Sequence, residues 1–171
     1  MIAAWVFVTL MATAAYFDLR YRRIPNVLTV TGLVVGLLLR GADGLDPLAS
    51  GLMGAGLAAV VSLPLFALRA LGGGDGKLLI AAGGFLGPDR FVGAMLLIAI
   101  IGGIMALLDA LRRKIVLPVL LNTADLMKRI ATLGRAGSPH RLSAPGSVTI
   151  PYGVAIAIGS VLWWFWGTEF L

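Results

Sequence analysis

The chain predicts an all-α polytopic membrane protein, a bundle of about six transmembrane helices with an amphipathic segment on the cytoplasmic face. Of its 171 residues, 59% are hydrophobic and only 13% charged, whereas soluble domains are nearer ~45–50% apolar. Apolar runs that approach the ~30 Å thickness of a bilayer core recur along its length. Lysine and arginine gather in alternate connections, the pattern expected when positive residues resist translocation. The length accommodates roughly five to seven spans of ~20 residues and leaves no room for a separate soluble domain, so residues 1–171 read as one transmembrane domain.

The first apolar run, residues 2–17, stops at Asp18. Its "ATA" at 12–14 has the look of a signal-peptidase site, but the arginines follow the run instead of preceding it, so a membrane span is expected in place of a cleaved leader. A second run covers 27–39, after Ile24-Pro25-Asn26 and before Arg40. The third, 48–68, contains Pro64, and the fourth, 77–88, follows a glycine-rich stretch. A fifth covers 91–111 and a last 148–166. The second and fourth are short for a ~30 Å core, which predicts that they borrow flanking residues or are shielded by neighbours.

Six alternating helices with the N-terminus outside put segments 18–26, 69–77 and 112–147 in the cytoplasm. Twelve of the 14 Lys and Arg then lie inside and two, Arg40 and Arg90, outside, which supports that orientation. A seventh span at 115–133 would send the basic stretch from Lys128 to Arg141 outside. Its apolar residues Leu120, Ala124, Met127 and Ala131 recur at helical spacing among polar ones, as expected of an amphipathic helix on the membrane surface within the basic 112–147 loop. Gly32 with Gly36 and Gly83 with Gly87 are small-residue pairs suited to close helix packing.

With no cysteine and a single histidine, His140, disulfides, thiol nucleophiles and multi-histidine metal sites are excluded. Eight acids remain. Asp43, Asp46, Asp89 and Glu169 fall in expected outer loops or the tail, and Asp109 and Asp125 read as surface partners for neighbouring bases. Asp18 and Asp75 differ. Each adjoins a span at its cytoplasmic end, and two spans separate them, so both lie at one depth on one side of the membrane and can meet. Ionisable groups at such a depth are costly and usually face the bundle interior, which makes the pair a candidate site. Asp18 ends the first span, where a helix terminus disfavours a carboxylate, and Asp75 opens the fourth, where one is favoured. At a separation of a few ångströms, mutual repulsion adds to that difference, and the pair would share a single proton near neutral pH. One ionised and one neutral carboxyl is what activation of water for peptide hydrolysis requires.

Alternatives stand beside this reading. Asp18 can form a salt bridge with Arg20, Arg22 or Arg23. The stretch "LGGGDGKLL", 71–79, suits an extended backbone lining a wet cavity; it is not a phosphate-binding GxxxxGK[ST] loop, since Leu78 follows Lys77. Lys77 reads as an interfacial anchor or a charge tuning Asp75.

"DLRYRRIPN" fits the pattern D-x5-I-P-N, and "GGGD" at 72–75, followed by Gly76-Lys77, fits GxGD. With six spans and "IPYGVAIAIG" at 150–159, the chain resembles the type IV prepilin peptidase family of membrane aspartic proteases, in particular its small Flp-type (tight-adherence) members. The resemblance implies that Asp18 and Asp75 are catalytic. It implies a prepilin or pseudopilin substrate, cut behind its basic leader at the cytoplasmic face of the bacterial inner membrane, with no cofactor and no nucleic-acid partner. Gly72, Gly74, Lys77, Ile24, Pro25 and Asn26 would support the site. Pro25 is suited to the start of the second helix, and Asn26 to satisfying backbone groups in the tight connection. Pro151, Tyr152 and Gly153 would shape a substrate cleft or serve as a helix start with an interfacial tyrosine. The cysteine-bearing region that accompanies pilin methylation in larger members is missing, so a peptidase without methyltransferase activity is expected. Two other classes stay open: a small proton-coupled transporter, which the lack of an acid near the midplane disfavours, and a scaffold subunit of a pilus or secretion machine, which needs no carboxyl pair.

Overall fold

The computed structural model describes residues 1–68, 70–114, 121 and 151–167, and among these all regular structure is helical. The six helices are α1 (Ile2–Tyr21), α2 (Asn26–Ala42), α3 (Leu45–Ala67), α4 (Gly73–Leu86), α5 (Pro88–Arg113) and α6 (Tyr152–Trp166). Apart from Leu121, the amphipathic 115–133 segment lies outside the described residues, as does Asp125. The helices run past the apolar runs by three or four residues at the ends of α1 and α2 and at the starts of α3, α4 and α5, because backbone hydrogen bonding continues through polar residues that end a hydropathy signal, whereas α3 and α4 end one or two residues early and α6 begins at Tyr152. Thus α1 extends beyond Asp18 to Tyr21 and stops where Arg22 adopts a left-handed conformation (φ 53°, ψ 29°), its amide donating to the Asp18 carbonyl at 3.0 Å.

Three helices, α1, α3 and α5, are long and apolar enough to cross a membrane, and α2 and α6 are shorter apolar helices. With 14 residues, α4 would rise only ~21 Å. It sits at the centre of the bundle, with Gly76, Leu78, Leu79 and all of 81–86 buried. The fourth apolar run thus borrows residues 73–76 from its flank, and shielding by neighbours covers the rest of its shortness.

Small residues set the packing. Added Cβ atoms on Gly54 of α3 and Gly83 of α4 would each collide with the other's backbone carbonyl, so these two helices meet backbone on backbone. Gly32 accommodates Leu10 of α1, and Gly36 accommodates Phe85 of α4. Along α5, Gly93 lies beneath the Trp163 ring and Gly102 beneath the Tyr152 ring, which seats α6. Phe7 of α1 joins these layers, its ring 5.1 Å from that of Phe85 and 5.0 Å from that of Trp164. Gly87 shares the contact of Gly54 with Gly83, its Cα 2.7 Å from the Cβ position of Gly54, and it also takes φ +78° in the α4–α5 turn, a conformation that disfavours any Cβ.

Candidate active site

The ends of α1 and α3 and the starts of α2, α4 and α6 meet at one end of the bundle. Asp18 lies in the last turn of α1 and is 7% exposed. Its Oδ2 accepts the Gly153 amide at 2.8 Å. That amide belongs to the first turn of α6, where N–H groups have no partner within the helix and attract negative charge. The Val154 amide and the Arg22 guanidinium also interact with the carboxylate. The cost expected for a carboxylate near the end of α1 is thus offset by the start of α6. A Cβ at Gly153 would lie 2.8 Å from Asp18 Oδ2 and 2.9 Å from Ile24 Cδ1, so only glycine lets the amide approach this closely.

Asp75 is the third residue of α4, after the extended N-cap Gly72 (φ −68°, ψ 147°). Its carboxylate folds back onto the Gly72 amide, the reciprocal half of a capping box. Asp75 is partly buried and within electrostatic reach of both Asp18 and Tyr152.

The first turn of α4 has three occupied sides, as its ~100° per residue dictates. Gly73 and Gly76 face α3, where their Cβ positions would lie 3.3 Å from Phe66 and 3.5 Å from Ser62. Gly74 and Lys77 face the α1–α2 turn: a Cβ on Gly74 would lie 3.2 Å from that of Ile24, and Lys77 Nζ donates to Asn26 Oδ1 at 2.8 Å. Asp75 occupies the remaining side, toward Asp18 and Tyr152.

Ile24 is 8% exposed and wedged between Gly74 and Gly153. Pro25 is the N-cap of α2 (φ −61°, ψ 134°), and its carbonyl accepts the Leu28 and Thr29 amides at 3.1 and 3.4 Å. Asn26 was expected to satisfy backbone groups in this connection, yet α2 has no side-chain cap and Asn26 takes the Lys77 ammonium instead. Pro151 caps α6 and, with Arg22, Asp109 and Arg112, borders a cavity of about 230 Å³. Asp109 pairs with Arg113 Nε at 3.0 Å, as its spacing suggested. A second hollow, about 360 Å³, is lined by Phe17, Tyr21, Arg23, Ile24, Pro25 and Asn26.

The Gly153 amide as Asp18's partner was not foreseen; its only trace in the sequence is a glycine two residues after a proline that starts a helix. Nor was the electrostatic coupling of Tyr152 to Asp75 foreseen, because the sequence places the start of α6 near the site without saying which side chain it faces.

Residues 5–107 match the type IV leader peptidase family. Over 132 residues, 73% of this chain, the sequence is 30% identical to the prepilin leader peptidase/N-methyltransferase of Myxococcus xanthus. The matched part is 39% of that relative, so the chain spans well under half its length. No solved structure matches with significance.

Proposed function

Because the chain belongs to the type IV leader peptidase family, we propose that it is a membrane aspartic endopeptidase that removes the basic leader from type IV prepilins or pseudopilins of the Flp type, with Asp18 and Asp75 as its catalytic pair. The observation that carries this reading is the convergence of two carboxylates at one bundle end, within electrostatic reach of each other and each held by a helix-start amide. Two carboxyls so placed, one of them buried, hold one proton more readily than none. The ionised member takes a proton from water as its oxygen bonds to the scissile carbonyl carbon, and the neutral member donates its proton to the carbonyl oxygen. Collapse of the tetrahedral intermediate breaks the C–N bond: one member gives its proton to the departing amine while the other takes a proton from a hydroxyl as the carbonyl re-forms, which returns the pair to one shared proton.

The orientation that fits is an outside N-terminus with the carboxylates at the cytoplasmic face of the inner membrane, as the distribution of basic residues favours. The hollow beside Ile24 and Pro25 suits an extended chain approaching the pair, with Phe17 and Tyr21 as apolar walls. Anionic lipid around the protein would moderate the repulsion between a basic leader and the surrounding arginines. Methyl transfer is not part of the proposed activity.

Co-expression with candidate prepilins, read as a mass shift of the pilin, tests the assignment. Loss of the leader only when the chain is present is the expected result. Full-length prepilin with every candidate, in membranes containing the folded chain, would contradict it.

A further inference from the structure

We propose that the Lys77–Asn26 hydrogen bond is a rotational lock on α4 that aims Asp75 at Asp18, which makes both partners positioning residues. The inference builds on the proposed role of the aspartate pair. Four of the first five residues from the N-cap of α4, Gly72, Gly73, Gly74 and Gly76, lack side chains. A helix start of this kind packs closely, but the large side chains of α4 that key it into its neighbours, Leu78, Leu79 and Phe85, lie further along the helix than Asp75. Lys77 supplies what the glycines cannot. It follows Asp75 by two residues, so it projects ~200° around the helix, and tying it to the start of α2 turns Asp75 away from α2 and toward α1 and α6.

The anchor on α2 is firm. Pro25 restricts the backbone at the N-cap. The Asn26 carbonyl accepts Thr29 Oγ1 at 3.0 Å, and Thr29 is 2% exposed. Ile24 presses on Gly74 along the same side of α4, but an apolar contact with a bare backbone tolerates rotation. An ammonium-to-amide bond of 2.8 Å is charge-assisted and holds Lys77 at a fixed distance from the start of α2. The same geometry disfavours Lys77 as a charge that tunes Asp75 directly, since the two project from opposite sides of the helix.

The natural chain has no cysteine, which allows a test independent of cleavage. With Asp18→Cys and Asp75→Cys introduced together, a short bifunctional thiol reagent joins the two positions. Adding Lys77→Met or Asn26→Leu is expected to slow that joining roughly ten-fold. In the active chain, Lys77→Met is expected to lower kcat by about 10- to 100-fold with KM within about two-fold. Lys77→Arg, which can still donate to Asn26, recovers most of the loss, and Lys77→Met with Asn26→Leu is no worse than either alone. Unchanged joining in the Lys77→Met background would overturn the lock, whether or not the chain cleaves prepilin. If the unaltered chain cleaves no prepilin while joining still depends on Lys77, the lock stands and the peptidase assignment falls.

Discussion

The two ends of the bundle treat their inward charges, buried Asp18 and half-buried Asp75 and Arg40, in opposite ways. At one end, Arg40 of α2 is tied to carbonyls: Nε donates to Phe85 O at 3.0 Å and an Nη to Pro47 O at 3.1 Å. At the other, Asp18 is tied to an amide of α6, and Asp75 folds onto the amide at the start of α4. A cation thus meets the C-terminal end of α4 and an anion its N-terminal end, as the helix dipole favours. The Arg40 end also contains the backbone-on-backbone contact of Gly54 and Gly83 and the positive-φ turn at Gly87. The carboxylate end is built from glycines that let backbone approach the acids, Gly153 beside Asp18 and Gly72 beside Asp75. Two hollows lie at the same end, one lined by Arg22 and Pro151 and one by Ile24 and Pro25. One end closes the bundle on packed backbone, and the other gathers two acids onto the starts of α6 and α4.

Substitutions that crowd or empty one end should separate stability from activity. The largest effect is expected from Gly54→Val, whose side chain would enter the Gly83 backbone. The α3–α4 contact cannot form, and a loss on the order of 4 kcal/mol or more would be read as failure to recover folded protein from membranes. Next comes Arg40→Met, which leaves the Phe85 and Pro47 carbonyls without their donor. It should cost about 2–4 kcal/mol, seen as a lower midpoint in thermal unfolding in detergent, while the surviving folded fraction keeps its kcat.

At the carboxylate end the balance reverses. Gly153→Ala places a methyl group against Asp18 and Ile24, and cleavage should fall about 10- to 100-fold with a near-normal unfolding midpoint. Equal losses of activity from Arg40→Met and Gly153→Ala, each per folded molecule, would erase the distinction between the ends. The smallest effect is expected from Arg113→Gln, which removes a largely exposed pair with Asp109: about 0.3–0.5 kcal/mol in the same unfolding assay, with cleavage little changed.

The helices, their order and the common end of Asp18 and Asp75 were legible in the sequence, because hydropathy reports the spans and two spans separate the acids. Asp109 and Arg113 were legible too, since four residues bring them together on any helix. What was not legible is long-range. Asp18 meets Gly153 across 135 residues, Lys77 meets Asn26 across 51, and Arg40 reaches Phe85 across 45. Periodicity reports which face of a helix is apolar, not which neighbouring helix start that face will meet. Arg40 therefore read as an outer-loop base, and Asp18 as a carboxylate at an unfavourable helix end, until the packing of α4 and α6 supplied their partners.

The claim that Asp18 and Asp75 act as one unit is tested most directly by Asp18→Asn, Asp75→Asn and the double substitution, purified side by side and assayed on one prepilin. Each single change is expected to lower cleavage by roughly a thousand-fold or more, and the double to be no worse than either single. Unfolding midpoints close to that of the unaltered chain would show that the loss is chemical. Near-normal cleavage by either folded single variant would contradict the account.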